Sequence, residues 1–580
     1  MKVSDYIIHF LEQQGIKDVF LLSGGGMMHL LDSVSRSTKI NKYYNLNEQA
    51  TSICADAYAQ YTNEMSVCMV TTGPGGTNAI TGVVSAYQDS TPILIISGQV
   101  KTTDLAPERV RVYGPQEVNI TGIVKEVTKY AVTVKKVEEI RYHLEKAIYL
   151  ATNGRRGPVW VDIPLDIQAA DIDTYSLKGY HPEEENSKDI SSRVKKIVEG
   201  LNQSKKPTIL FGHGVIAAKA QSIASELANI LKIPVLSTWR AKELFHEQYE
   251  YFYGFPGSQA PRYSNFTLQN ADYLLIVGSR LDTSLTAFNE ANFAKNAKKV
   301  IIDIDDAEMN KLHMEFEDMI QCDAKYFLSR LLENVKSDYK WEDKVKWLEY
   351  CRTNKEKYPI YKERPLCETN YVYGYDFAKA LTENSTNQDV FVASPTGRVC
   401  IAMNLGIALK TGQKFVGPRG LGSMGYALPS AIGACIASGY RRTIVFEGDG
   451  SLQHNIQELQ LIKTYNLPIK LFVYNNGGYS SIYGMQSSHF KKNLAGCTAE
   501  SGVLLPDIED IAKAYHINYY KINNADELDQ GIQEIMKDDR AIICEVIGDI
   551  TFEEIPRTQT RVNKDGSLSS STLEDLYPFI

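Results

Sequence analysis

The sequence predicts an α/β protein of three doubly wound parallel-sheet domains, and three observations carry that expectation. Short runs such as "VCMVTT", "PILIISG", "TILFG", "YLLIVGS", "KVIIDID", "RTIVFEGDG" and "IKLFVYNN" are apolar throughout rather than alternating, and they lead into Gly, Ser, Asp or Asn. Strands buried on both faces of a parallel sheet have that composition. Helical periodicity fills the spaces between the runs, which makes the connections crossovers and puts ligand sites at the carboxyl ends of the strands. A chain of 580 residues also exceeds one core, and about 150 residues per domain divides it into three or four units.

In chain order, "MKVSDYIIHFLEQQGIKDVF" predicts an amphipathic helix running into a strand. It has neither the basic n-region nor the apolar core of a signal peptide, and no apolar run reaches the roughly 18 residues of a membrane span. Polar stretches at 178–192 and 339–370 separate α/β units at 1–177, 193–338 and 371–548, followed by a polar tail, 549–580, that orders only by packing on something. The outer units share a Gly-rich turn opening a small-residue helix, "TTGPGGTNAITGVVSAY" and "GLGSMGYALPSAIGACIA", which suggests two related domains around a middle one.

With 43% hydrophobic and 23% charged residues the composition is that of an ordinary globular protein. A net charge of −8 without a Lys/Arg block speaks against nucleic acid as the main partner. Nine scattered Cys without a C-x-x-C pair speak against a disulfide framework or zinc site and for a reducing cytoplasm. Cys54, Cys435 and Cys544 lie in apolar runs and read as core.

Within "YNLNEQATSICADAYAQ" (44–60), Asn47 is a candidate N-cap, and Ala50, Ile53, Cys54, Ala57 and Tyr58 recur as one buried helical stripe. Glu48 therefore sits in the first turn, where by itself it reads as a carboxylate favoured by the helix dipole. The stronger signal is "EGDGSLQHNIQELQLIKTYNLPIKLFVYNNGGYSS". One buried strand delivers Gly448 to Ser451, a helix follows, and a second strand delivers Asn475 and Asn476, so Asp449 and Asn476 stand at adjacent strand ends. Hard oxygen ligands beside a glycine turn suit Mg²⁺ completed by phosphate oxygens. The backbone N–H groups of Gly450 and Ser451 at a helix start form an anion site for the same phosphates.

This spacing resembles the diphosphate motif of thiamine diphosphate (ThDP) enzymes. Through "NEQATSICADAYA", "TTGPGGTNAITGVVSAYQDSTPILIISGQV", "GRRGPVWVDIPLDIQ", "KPTILFGHG", "IIDIDDAE" and "GLGSMGYALPSAIGA" the chain looks like the acetolactate (acetohydroxyacid) synthase group. The resemblance implies a pyrimidine-binding first domain, a central domain and a diphosphate-binding third domain. It implies that Asp449, Asn476 and the Gly478 carbonyl hold Mg²⁺, and that Thr396, Gly397 and Arg398 with Gly450 and Ser451 bind the diphosphate. Gly422 and Tyr479 join the cofactor-binding set, and Met424 matches the residue that wedges the cofactor into its V shape. Glu48 matches the carboxyl that hydrogen-bonds pyrimidine N1′ and favours the imino tautomer whose nitrogen deprotonates thiazolium C2. Gln116 matches a glutamine approaching the cofactor, and Gly25, within Ser23–Gly26, a glycine turn facing the substrate carbonyl. In the middle unit Gly212, Gly214, Gly278, Arg280, Asp303 and Asp323 resemble a flavin-binding domain; FAD stays open, because related decarboxylases keep the domain without its nucleotide.

Three positions depart from the synthase pattern: Asn47 stands where a histidine is usual, "TGR" (396–398) replaces "GQH", and Met485 replaces a tryptophan that selects a small acceptor. Losing an indole opens the acceptor pocket. The expected activity is decarboxylation of a 2-oxo acid such as pyruvate, with transfer of the acyl carbanion to a carbonyl acceptor, which the open pocket extends to a keto-sugar nucleotide. The resemblance implies a homodimer or homotetramer whose active sites lie between subunits. A simple decarboxylase, a pyruvate oxidase-type flavoenzyme and a non-catalytic nucleotide-binding scaffold are the rival readings.

Overall fold

The computed structural model describes all residues except 184–188, 340–343, 365–369, 564 and 567, so parts of both polar linkers lie outside the described residues. The first sheet comprises β1 (Asp18–Leu21), β2 (Asn41–Tyr44), β3 (Ser66–Val70), β4 (Ile93–Gln99), β5 (Tyr130–Thr133) and β6 (Val159–Pro164), in the order β2-β1-β3-β4-β6-β5. The second comprises β7 (Pro207–Phe211), β8 (Val235–Ser237), β9 (Tyr273–Val277), β10 (Lys298–Asp303) and β11 (Asp318–Gln321), in the order β11-β10-β9-β7-β8. The third comprises β12 (Val390–Ala393), β13 (Lys414–Val416), β14 (Thr443–Gly448), β15 (Ile469–Asn475), β16 (Asn518–Ile522) and β17 (Ile542–Ile547), in the order β13-β12-β14-β15-β17-β16. Every pairing in these three sheets is parallel. Numbered within its own domain, the third sheet repeats the order of the first, so the shared glycine turns belong to a shared architecture.

Five helices position the chemistry: α1 (Glu48–Thr62), α2 (Pro74–Gln88), α3 (Gly397–Gly406), α4 (Ala427–Ala437) and α5 (Ser480–His489). The expected single stripe understates the burial of α1, because Thr51, Ser52, Ala55 and Asp56 are buried as well. The reason is that α1 lies between α2 of its own domain and α4 of the third. Glycines permit both approaches: a Cβ on Gly82 would stand 2.8 Å from the Ser52 carbonyl carbon, and one on Gly433 2.9 Å from Cys54 Cα. One hydrophobic core consequently runs across the boundary, joining Phe20, Cys54 and Ala57 to Leu428, Ile432 and Cys435. The eight cysteines among the described residues are free thiols, and Cys544 packs in a second core of the third domain.

The tail finds its support on the central domain. After the hairpin β18 (Thr560–Val562) and β19 (Leu568–Ser570), Leu573 and Leu576 are buried. Arg262 donates to the carbonyls of Leu576 (2.9 Å) and Pro578 (2.6 Å), and Asn265 to that of Leu573 (2.8 Å). No helix among the described residues is long and apolar enough to cross a membrane.

Candidate active site

In the third sheet the strand order reverses between β12 and β14, which opens a crevice at their carboxyl ends. Thr396, Gly397 and Arg398 follow β12, Asp449 to Ser451 follow β14, and Asn476 to Tyr479 follow β15. The structure brings them together. Asp449 Oδ1 accepts from the Gly450 N–H at 2.8 Å, and Oδ2 accepts from those of Gly477 (2.9 Å) and Gly478 (3.1 Å). Gly478 has φ +146° and abuts the Cys497 carbonyl, so only glycine fits; the Tyr479 ring lies over Gly450 and leaves no room for a Cβ there. Ser451 Oγ accepts from the Gly425 N–H at 2.8 Å, tying the Gly422–Met424 turn to the same crevice. Arg398 donates to the Ser480 carbonyl at 3.3 Å, which closes the set against α5.

These residues fit the groups the motif implies. Asn476 Oδ1 is buried beside a carboxylate without a hydrogen-bond partner among the described residues, an arrangement a hard cation satisfies. Burial pushes Asp449 up to about 6 against the pull of its N–H donors, and a bound cation would restore its ionised form. Among the described residues no side chain caps the first turn of α3, which leaves its N–H groups to an anion.

A second crevice lies at the matching reversal, between β1 and β3 of the first sheet. Gly25 follows β1, and the turn around it is packed so closely that a Cβ on Gly26 would be 2.9 Å from Thr72 Cβ. The Gly26 N–H donates to Thr71 Oγ1 at 3.1 Å. Gln116, with φ +64°, brings its carbonyl to Thr72 Oγ1 at 3.3 Å. Asn47 caps α1, its side chain accepting from the Gln49 N–H at 2.8 Å. Glu48 is buried in the next position and accepts from Asn78 Nδ2 of α2 at 3.1 Å. Among the described residues no hydrogen bond joins Glu48 to the Asp449 crevice; the domains meet instead through Gln49–Asn455 (3.3 Å), Asn45–Glu458 (2.9 Å) and Asp56–Tyr426 (2.6 Å).

A cavity of about 460 Å³ lies where the three domains meet, lined by Gly214, Gly278, Arg280, Asp303 and Asp323. Gly212 is not in its wall. It serves close packing, its N–H donating to the Val277 carbonyl at 2.9 Å with no room for a Cβ against Gly278. Arg280 donates to the Gln88 carbonyl (2.8 Å), and Asp323 caps a helix through the Tyr326 N–H (2.9 Å). Burial pushes Asp303 up. Arg155, Arg156, Arg240 and Arg419 also line the cavity. Sequence reasoning missed these four, although "GRRGPVW" contains the first two; Arg155 pairs with Asp305 (2.8 Å) and Glu308 (2.5 Å) across the domain boundary. Asn78 was missed as well, and nothing local marks it as the partner of Glu48.

Comparison with known proteins agrees with this geometry. Residues 1–123 match the thiamine pyrophosphate enzyme N-terminal TPP binding domain, 194–331 the central domain and 395–546 the C-terminal TPP binding domain. The chain is 30% identical to a probable acetolactate synthase large subunit of Methanocaldococcus jannaschii, over 95% of this chain and 92% of that one. It is 29% identical to the acetolactate synthase large subunit of Lactococcus lactis, over 97% and 95% of the two chains. With acetolactate synthase isozyme 1 large subunit of Escherichia coli it shares 30% identity over 92% and 91%. The chain therefore belongs to the thiamine diphosphate-dependent enzymes, as an acetolactate synthase-like member of that family.

Proposed function

We propose that this enzyme uses ThDP and Mg²⁺ to decarboxylate a 2-oxo acid, pyruvate being the first candidate, and to join the acyl fragment to a carbonyl acceptor. The observation that carries the reading is the third-domain crevice, where the unpartnered Asn476 Oδ1, the Asp449 carboxylate and uncapped N–H groups converge. Bound ThDP would supply an acidic thiazolium C2–H and a sink for the electrons left when CO₂ departs. The chain supplies the rest. Asp449, Asn476 and the Gly478 carbonyl would hold Mg²⁺, and the α3 N-terminus with Gly450 and Ser451 would bind the diphosphate. Met424 would support the bent cofactor. Glu48 would share a proton with pyrimidine N1′, its second oxygen oriented by Asn78. Backbone at Gly25 and the Gln116 side chain would face the substrate.

Since Glu48 and the Asp449 crevice sit in different domains without a hydrogen bond between them, we infer that each site is completed by a second copy, in a dimer or pair of dimers. Met485 and Ile482 stand exposed on α5, which supports a roomier acceptor site and a ketone larger than pyruvate, such as a keto-sugar nucleotide. The three-domain cavity has the size of a ligand pocket and five arginines for a dinucleotide's phosphates, which supports FAD there. Free thiols favour the cytoplasm.

The test is incubation with ThDP, Mg²⁺ and labelled pyruvate, with and without ketone acceptors, followed by NMR of the products. Acetolactate as the only efficient product would sink the larger acceptor. Acetaldehyde alone would make this a decarboxylase, and bleaching of bound flavin by pyruvate an oxidase.

A further inference from the structure

We propose that Asp162 is a positioning residue: through Gln99 and Thr72 it holds the backbone on both sides of Glu117 and so keeps Gln116 in its left-handed conformation beside the first-domain crevice. This deepens the proposed function and rests on the reading of Gln116 as a residue that faces cofactor or substrate.

Asp162 lies near the end of β6 and is fully buried. Such a group needs compensation, and among the described residues no charged side chain supplies it. Three neutral donors do. Ser97 Oγ donates to Oδ1 at 2.5 Å, while Gln99 Nε2 (3.1 Å) and Thr133 Oγ1 (3.0 Å) donate to Oδ2. Ser97 is itself fixed as an acceptor from Trp160 Nε1 at 2.8 Å. An acid with no ion partner and no place in the proposed chemistry acts through the groups it orients.

The group that matters is Gln99, the buried last residue of β4. Its amide is fully used. Nε2 donates both to Asp162 and to the Val118 carbonyl (2.9 Å), and Oε1 accepts from the Val100 N–H (2.9 Å) and from Thr72 Oγ1 (3.0 Å). An amide alone could point either way, but an acceptor at 162 dictates which end carries the NH₂. With that end fixed, the oxygen faces Thr72, whose one hydroxyl proton is shared between Gln99 Oε1 (3.0 Å) and the Gln116 carbonyl (3.3 Å). The two carbonyls so restrained, Gln116 and Val118, bracket Glu117.

A glutamine at φ +64° adopts a conformation that L-residues seldom keep without restraint. Gly73 leaves room for it, since a Cβ there would stand 3.2 Å from Gln116 Cα. The outer side of the loop offers little hold, because Val110, Val112 and Tyr113 are exposed. The groups facing Asp162 are Ser97 and Gln99 from β4 and Thr133 from β5, all neutral, and burial pushes its carboxyl up to about 7. A proton there would turn one of the two acceptor oxygens into a donor and weaken the orientation of Gln99.

Hydrogen exchange of segment 112–118 in the full-length protein, corrected for intrinsic pH dependence, tests the proposal with Gln99→Leu, Asp162→Asn and Thr133→Val. Gln99→Leu should speed exchange about tenfold, the equilibrium worth of one hydrogen bond. Asp162→Asn should erase an acid-side loosening that the wild type displays around pH 7, and Thr133→Val, which removes one hydrogen bond to the Asp162 carboxylate, should move that loosening to higher pH. In the pyruvate assay Gln99→Leu should change KM and kcat as Gln116→Ala does. Unchanged exchange in both Gln99→Leu and Asp162→Asn would overturn the proposal, and if Asp162→Asn does not fold, Gln99→Leu decides alone. Faster exchange with a kinetically silent Gln116→Ala would leave the restraint standing and remove the reading of Gln116.

Discussion

Gly433→Ala perturbs the contact on which the position of Glu48 depends. The missing side chain lets α4 lie against the backbone of α1, and an added Cβ would stand 2.9 Å from Cys54 Cα and carbonyl carbon, closer still to its oxygen. Carbon atoms pack comfortably at about 3.5–4.0 Å, so the helices must part by roughly 0.5–1 Å. The obstructing atoms are backbone, and no rotamer change relieves them. Overpacking of this kind typically costs about 1–3 kcal/mol, which for a domain of this size lowers the melting temperature by roughly 2–10 °C. Glu48 rides on α1, and a displacement near 1 Å in a positioned catalytic group can cost about 10²-fold in rate. The assays are thermal unfolding and NMR-detected exchange of the ThDP C2 proton. Ile532→Val, in the separate core behind the third sheet, controls for lost stability, and should lower the melting temperature while leaving C2 exchange alone. An unchanged melting temperature and unchanged exchange in Gly433→Ala would mean that α1 and α4 are not in this contact, and the account of how Glu48 is placed would fall.

Three further outcomes are expected. Glu48→Gln should keep the fold and Mg²⁺–ThDP binding but slow C2 exchange by about 10²–10⁴-fold, the range of acid–base contributions; full exchange would leave Glu48 as a helix-end carboxylate only. Asn476→Ala should weaken Mg²⁺-dependent ThDP binding in calorimetry without lowering the melting temperature of the free enzyme, since the lost oxygen has no partner within the protein. Burial pushes Glu554 from 4.5 up to about 7, against the pull of Arg398. A raised carboxyl contributes stability that is full below its unfolded value and lost as pH rises through the folded one, here between about pH 4.5 and 7. At about 1.4 kcal/mol per pH unit this is worth about 3 kcal/mol, so the stability of Glu554→Gln relative to wild type should rise by that order across the window. Parallel melting curves for the two proteins would contradict it.

What could be read from the sequence was what adjacent strands deliver. Asp449 and Asn476 were legible as a pair because each directly follows a strand and those strands, β14 and β15, are neighbours. Asn47 as the cap of α1 was legible because its bond spans two residues. The first-domain crevice was less so, since it is assembled from the ends of β1, β3 and β4 and a loop, through single hydrogen bonds such as Thr72–Gln99 that leave no motif. Periodicity underrated α1 because it presumes one solvent face, and this helix has a second domain on the other side. The arginines of the cavity were invisible as a group for a similar reason: they come from three domains, and only the fold brings them to one cavity. In the tail, a polar average concealed Leu573 and Leu576, the two residues that anchor it.

The repeated strand order explains why one chain carries two unlike half-sites. A parallel sheet with one reversal has one crevice at its strand ends, and the first and third domains place theirs at the same point of the same order. In the third domain that place is filled with groups suited to anions and cations: uncapped N–H groups, Asp449 and the unpartnered Asn476 oxygen. In the first it holds Glu48, the close-packed turn at Gly25 and the restrained Gln116 carbonyl, groups that exchange protons or approach a carbonyl but offer nothing to hold a diphosphate. Neither half is sufficient for the proposed chemistry. The α1–α4 contact joins the two domains through their helices. On the proposed function, a second copy related by a twofold axis would supply the missing half to each site at once.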